Sequence, residues 1–413
     1  MRQRSLLMLT TAVTTSALML TACGSRDASG GGSEGGGDRV VEIGLDAPLT
    51  GNLSAIGIGI KNSAELAVKT ANKKNVVDGV TFKLVSSDDN AQPAQGQQNA
   101  SEFIGNTNMV GAVGPLNSDV GQSMAPVFDK ADMVQVSPAN TNPSLTQGVD
   151  WQKGKKERPN HTYFRTSTTD AVQGPYAAEY AYNELKLKKV YVIDDKKTYG
   201  AGLAGTFEDH FKKIGGKVAG TDHVNPEDKD FTAIATKVSN SDAEFVYYGG
   251  EYPAGAPLTD QIKRAGADIP VIGGDALFSA EYVKIAGKNA EGDLASSVGA
   301  PIEDLDTAKE FIANYDKAGY KQAYGPYGGY AYDSTWAIIL AVKAVAEDND
   351  GTFPENVEDA RGPVTEAMQD VSFEGVTGEV GFDEFGDNTN RQLSIYEVKD
   401  GKHVPVETGT FEG

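Results

Sequence analysis

Two rhythms of apolar and polar positions alternate along most of this chain. Short apolar runs such as VVEIGL, TFKLVSS and MVGAVGP have the length and composition of strands, and between them KNSAELAVKTAN and QNASEFIG carry apolar residues at helical spacing. The same rhythm restarts further on with KVYVID, GLAGTFEDHFKKIG, KVAGTDHV, FTAIATKVSN, EFVYYGG, LTDQIKRAGA and PVIGG. Strands alternating with helices predict parallel sheets covered on both faces. Two such series predict an α/β protein of two doubly wound lobes, with ligands bound beyond the carboxyl ends of the strands.

The first residues follow a different pattern. Arg2 and Arg4 precede an apolar run interrupted only by serine and threonine, which ends in the small residues Thr21 and Ala22 before Cys23, the one cysteine in the chain. That stretch has the length and flanks of a secretory signal peptide rather than a membrane span. Leu20-Thr21-Ala22-Cys23 resembles the lipobox of bacterial lipoproteins, which implies cleavage after residue 22 and a lipid on the Cys23 sulfur. The glycine-rich segment GSRDASGGGSEGGGD then reads as a flexible tether, and about 15 such residues span roughly 20 Å. With no second cysteine, the secreted part holds no disulfide and depends on its apolar core.

Charge narrows the partners. The chain carries 37 basic and 58 acidic side chains, a formal net charge of −21. Such a surface repels nucleic acid and anionic lipid heads.

Catalytic and metal-binding patterns fail on spacing. Gly121-Gln-Ser123-Met-Ala125 has alanine where a nucleophile elbow needs its second glycine. His161, His210, His223 and His403 are scattered, with no pair at metal-ligand spacing. Gly57 and Gly59 in GIGIKN are followed by Asn62 in the third glycine position of a dinucleotide fingerprint. DEFGDNTN lacks the ligand spacing of a calcium loop and reads as a turn. These patterns call for no enzyme, cofactor or metal.

Small and polar residues just past the strand ends remain as candidates for binding. Ser118 follows a strand at the predicted start of a helix, whose free N–H groups favour an anion. Ala139 and Thr141 follow the next strand, and Tyr199, Glu251, Tyr252 and Asp275 follow strands of the second series.

At these residues the chain resembles the leucine/isoleucine/valine-binding proteins, the extracellular solute receptors of ABC amino-acid importers. The likeness runs over residues 40–387 and rests on APLTG, GPLNS, SPANT, YGAGL, DFTAIATKVSNSDAEFVYYGG and VTGEVGFDEFGD in that order. It implies a type I periplasmic binding fold, two lobes joined by three crossovers near Thr168, Val298 and Phe373 and closing on one ligand. It further implies that Ser118 and the backbone near Thr141 hold a ligand carboxylate. The Ala139 carbonyl, the Thr141 hydroxyl and Asp275 would hold an α-ammonium, and Tyr199 and Tyr327 would close over the ligand. The chain departs from the family pattern at Ala91 and Asn117, where a disulfide is often found, at Ile56, where an aromatic commonly caps the ligand, and at Glu251. There an aromatic is expected, and a one-residue shift would supply Tyr252.

Residues 1–22 are thus expected to be a signal peptide and 23–38 a lipid-anchored linker, with 39–168 plus 299–372 as one lobe and 169–298 plus 373–413 as the other. The expected protein is a monomeric lipoprotein on the extracytoplasmic face of the membrane. It binds an amino acid, with branched-chain ones favoured, and hands it to an ABC permease. A sensory receptor on the same fold and a surface hydrolase are the alternatives. Two acids around one ammonium would favour a ligand with a second donor if Glu251 faces the site, and an aliphatic ligand if Tyr252 does.

Overall fold

The computed structural model describes residues 39–412, so Cys23 and the tether lie outside the described residues. In chain order the first lobe begins with β1 (Arg39–Ala47), α1 (Ser54–Lys74), β2 (Val80–Asp88), α2 (Pro93–Ile104), β3 (Met109–Val113), α3 (Ser118–Asp129), β4 (Val134–Ser137), α4 (Ser144–Gln147) and β5 (Tyr163–Arg165). Its strands pair in parallel in the order β2-β1-β3-β4-β5. Every position of β3 and β4 is buried. That is why MVGAV reads as a continuous run instead of alternating: helices cover both faces. VQVS alternates, and its buried polar side chains, Gln135 and Ser137, donate to the Gly114 and Pro115 carbonyls of the neighbouring loop.

The second lobe repeats the arrangement with α5 (Asp170–Glu179), β6 (Lys189–Asp194), α6 (Thr198–Lys213), β7 (Lys217–His223), α7 (Thr232–Ser239), β8 (Phe245–Gly249), α8 (Tyr252–Arg264), β9 (Val271–Gly273), α9 (Ala280–Ala286) and β10 (Leu294–Val298). The order β7-β6-β8-β9-β10 matches that of the first sheet. In each sheet the strand order reverses beside the first strand of the series, and the crevice of a doubly wound fold opens at that switch point.

The chain then returns to the first lobe as α10 (Lys309–Ala318), α11 (Gly328–Asp348) and α12 (Arg361–Ala367), with α11 packed along α1. The hairpin of β11 (Ser372–Gly375) and β12 (Gly378–Gly381) follows. The last crossover, expected near Phe373, falls instead after this hairpin. The cause is Asp333 of α11, a buried acid whose carboxylate accepts the backbone N–H of Val376 at 2.9 Å, that of Thr377 at 2.9 Å and the Thr377 hydroxyl at 2.6 Å. Phe382 packs edge-on against Phe164 of β5, and the Asn388 amide reaches the Thr166 carbonyl. The chain therefore leaves the first lobe between residues 388 and 392.

It finishes as β13 (Gln392–Lys399) and β14 (Lys402–Thr410), antiparallel strands added beyond β10. Asp400 and Gly401, with φ of 51° and 72°, make the tight turn between them. β14 is the sheet edge and keeps Lys402 and Pro405 there, residues that discourage further pairing. The sheets are thus parallel in their central strands, with an antiparallel edge on the second.

The glycines of GIGIKN, tried above as a dinucleotide fingerprint, lie within α1 and are packing residues. A Cβ on Gly57 would stand 2.0 Å from the Pro48 carbonyl oxygen, and one on Gly59 would stand 2.6 Å from that of Tyr324. Ser123 lies within α3, where its hydroxyl donates to the Pro93 and Val120 carbonyls, so it is no elbow nucleophile.

Candidate functional site

Where the ends of the two sheets face each other, helix-starting turns from both lobes surround a cavity of about 20 Å³, room for one or two water molecules. The first lobe contributes Leu53 and Ile56 after β1, Leu116, Asn117 and Ser118 after β3, Ala139 after β4, and Tyr327 at the start of α11; the second contributes Tyr199 after β6, Glu251 after β8 and Ala276 after β9. Five of the residues picked from the sequence, Ser118, Ala139, Tyr199, Glu251 and Tyr327, therefore line one cavity. Ser118 opens α3, and the side chain of the N-cap residue Asn117 makes no capping bond there, so the first-turn N–H groups of α3 point toward the cavity end of the helix.

Asp275 and Thr141 lie one layer deeper, both without exposed surface. The Tyr199 hydroxyl donates to Asp275 Oδ1 at 2.7 Å, and the Tyr327 hydroxyl, from the other lobe, donates to Oδ2 at 2.6 Å. Gln173 adds a donor at 3.2 Å. Burial pushes the Asp275 carboxyl above the usual range, and these three donors oppose the shift. Both tyrosines, buried beside this carboxyl, hold their protons well beyond the ordinary phenol range, first because of burial and then because of the Asp275 charge. The two hydroxyls thus occupy both oxygens of the one carboxylate beneath the cavity. The Thr141 hydroxyl lies beside the Asp170 carboxyl, and both residues are fully buried. Asp170 is raised well above the carboxylate range by burial and by the Asp275 charge.

Glu251, and not Tyr252, lines the cavity. Its side chain, 13% exposed, sits 3.0 Å from the Lys197 ammonium, and the Asn117 amide of the opposite lobe donates to its other oxygen. Burial raises the Glu251 carboxyl, while Lys197 and Asn117 pull it back. Tyr252 is buried, and its hydroxyl reaches the Asn52 carbonyl across the lobes. Asn142 donates to the Thr198 carbonyl at 2.6 Å, another bond between the lobes. Below Glu251, burial and the Glu251 charge push Asp195 up to about 7.

Arg165 and Asp387, which sequence reasoning did not single out, hold the loop that carries Ala139 and Thr141. The Arg165 side chain is fully buried on β5; it donates to the carbonyls of Asn140 at 2.6 Å and Asn142 at 3.1 Å and to the Thr146 hydroxyl at 2.6 Å. Its Nε lies 2.8 Å from Asp387 Oδ1. Asn140 in turn donates to the Pro115 and Leu116 carbonyls, tying the loop after β4 to the one after β3. The signal was an arginine ending an otherwise apolar strand, YFR. Gln173, also missed, donates to both Asp170 and Asp275 and accepts from the Ser296 hydroxyl.

This arrangement offers helix N–H groups and a serine for an anion on one side, and a buried carboxylate with two phenols for a cation on the other. A family model described as periplasmic binding protein matches residues 40–402. A Leu/Ile/Val-binding protein homologue from Brucella melitensis is 32% identical over 368 residues, 89% of this chain and 94% of the relative. A leucine-, isoleucine-, valine-, threonine- and alanine-binding protein from Pseudomonas aeruginosa is 29% identical over 86% of this chain and 89% of its own length. The solved leucine-binding protein of Thermotoga maritima superposes with a TM-score of 0.78 at 25% identity, covering 89% of this chain and 98% of that one.

Proposed function

The chain belongs to the periplasmic binding protein family, and from that premise we propose that it captures an amino acid between its lobes and delivers it to an ABC importer. The observation that carries this reading is the convergence of Ser118, Ala139, Tyr199 and Tyr327 on one cavity directly above Asp275. A zwitterion loses its hydration on closure, and each charged end then needs charge-assisted partners. The α3 N-terminus with Ser118 suits the carboxylate. Asp275 suits the ammonium, which takes over the positions now held by the tyrosine hydroxyls as the lobes reclose.

The similar protein from Pseudomonas aeruginosa is described as binding leucine, isoleucine, valine, threonine and alanine, and that from Brucella melitensis as a Leu/Ile/Val-binding protein homologue; branched-chain amino acids are the class proposed here. Replacing Asp275 by asparagine removes the buried counter-charge and is expected to cost about 2–5 kcal/mol of amino-acid binding, roughly thirtyfold or more. Calorimetric affinities of the variant and parent within twofold of each other would place Asp275 outside the site.

Anchoring is proposed to run through lipid on Cys23, holding the lobes at the extracytoplasmic face of the membrane as a monomer beside the permease. Cys23→Ser is expected to move the protein from the membrane fraction to the soluble one, because the hydroxyl cannot take a thioether-linked lipid. An unchanged fractionation contradicts the anchor.

A further inference from the structure

Two of the positions at which the chain departs from the family pattern, Asn117 and Glu251, meet each other across the cleft. The Asn117 amide, at the start of α3, donates to one oxygen of Glu251, and the Lys197 ammonium of the second lobe holds the other at 3.0 Å. The carboxylate is thus clasped from both lobes by charge-assisted bonds, the strong kind where water is scarce. Its surroundings are otherwise acidic: the charges of Asp119 on α3 and of Asp195 beneath bear on the same group. Like charges on facing walls push them apart, and Lys197 supplies the cation that lets these walls meet. On the far side of Glu251 lies a polar recess of about 250 Å³, whose rim residues Thr50, Asn90, Gln92 and Glu227 are exposed. Leu53 and Glu251 line both this recess and the small cavity. Glu251 therefore stands between a recess that reaches solvent and the candidate site.

We propose that this clasp is the latch of the cleft: Glu251, held by Asn117 from the first lobe and by Lys197 from the second, keeps the lobes together and sets how fast the solute enters and leaves. The three are positioning residues, and the inference rests on the binding reading above only for what passes between the lobes. In that reading the Tyr327 bond to Asp275 yields to the solute ammonium. The clasp engages no group assigned to the solute, so it persists whether the site is filled or not. A bond made only when the lobes meet stabilises the closed arrangement equally in both cases. Entry waits on the open fraction of the solute-free protein and release on that of the loaded one. Loss of the clasp therefore quickens entry and release together, whereas loss of a side chain that only touches the solute quickens release alone.

The test reads entry and release rates of radiolabelled leucine on the full-length protein, and backbone hydrogen exchange on the same protein free of solute. Asn117→Ala removes the cross-lobe donor and leaves the Glu251–Lys197 pair in place. Both rates are expected to rise at least fivefold, and exchange at the cleft ends of α6 and α8, both in the second lobe, at least threefold. Asn117→Asp sets a second carboxylate against Glu251 and, as a good N-cap residue, spares α3. It is expected to speed the same exchange, and adding Glu251→Gln, which turns donor and acceptor round, is expected to bring it back to within twofold of the parent. Faster release with entry unchanged within twofold makes Asn117 a solute contact and overturns the latch. Second-lobe exchange that is unchanged in Asn117→Ala, or not recovered in the double variant, overturns it as well. If leucine does not bind the parent, the branched-chain reading fails and the exchange measurements alone decide the latch.

Discussion

Glu251 shows how a charge can line a binding site without dictating its ligand. Alone, it would sit in the same cavity as a solute ammonium and compete with Asp275 for it or take a proton. Lys197 at 3.0 Å and the Asn117 amide already answer its charge, so the site does not demand a second cation from the solute. Removing one partner of a buried pair leaves the other uncompensated, a cost of about 3–5 kcal/mol, and a cationic solute could recover part of it. Lys197→Ala is therefore expected to shift the arginine-to-leucine affinity ratio at least tenfold toward arginine in competition titrations; an unchanged ratio would mean that Lys197 does not shield the cavity. At this scale the sequence was legible where a residue follows a strand end, as Ser118, Tyr199 and Glu251 do. It was not legible for Lys197, because a lysine in DDKKTYG looks like any solvated charge until the fold brings it against Glu251. Whether Glu251 or its neighbour faces the site also needed the fold, since α8 begins at Tyr252 and turns that ring away toward Asn52.

The elements that present these residues are the turns between strand ends and helix starts, and their rigidity comes from side chains outside the cavity. Arg165 holds the 140–146 loop through two carbonyls and a hydroxyl, with its charge balanced by Asp387. Arg165→Met leaves Asp387 buried without its cation and is expected to cost about 3–5 kcal/mol of stability in urea unfolding. Arg165→Met with Asp387→Asn is expected to recover part of that loss. A single variant within 1 kcal/mol of the parent would contradict the pinning role. Strand and helix positions were readable because buried parallel strands are continuous apolar runs and amphipathic helices keep their period. The placement of the β11–β12 hairpin was not readable. VTGEVGF is a hairpin in either lobe, and only the long-range partner Asp333 decides which one holds it. The antiparallel edge was likewise hidden, since QLSIYEVK alternates no differently from a parallel strand.

For the whole molecule, buried acids set the response to pH. Burial pushes Asp195 up to about 7 and Asp89, Asp293 and Asp333 up to about 6. An unfolded aspartate releases its proton near 3.9, so these groups hold protons in the folded chain that they lose on unfolding. Their stabilisation is complete below about pH 4 and is lost as pH climbs through 6 to 7. His403, pushed down to about 4, works the other way: its stabilisation is present above about 6.5 and falls away as pH drops toward 4. These carboxyls, with Asp170, Asp275 and Glu251 raised in the same direction, outnumber the one imidazole and, together with the relief of a net charge of −21, predict a higher urea midpoint at pH 5.5 than at pH 8. A midpoint that stays flat or rises from pH 5.5 to pH 8 would show that these acids are not held protonated by the fold. The two-lobed α/β architecture was legible in the sequence from its repeated rhythm, while the closeness of the lobes was not, because contacts such as Tyr327 to Asp275 join residues far apart in the chain. The central claim, capture of an amino acid between the lobes, is met most directly by calorimetric titration of the full-length protein with amino acids, with the solute analysed afterwards. One saturable site per chain and a solute recovered chemically unchanged is the expected result; no saturable heat with any amino acid, or accumulation of a product, would contradict it.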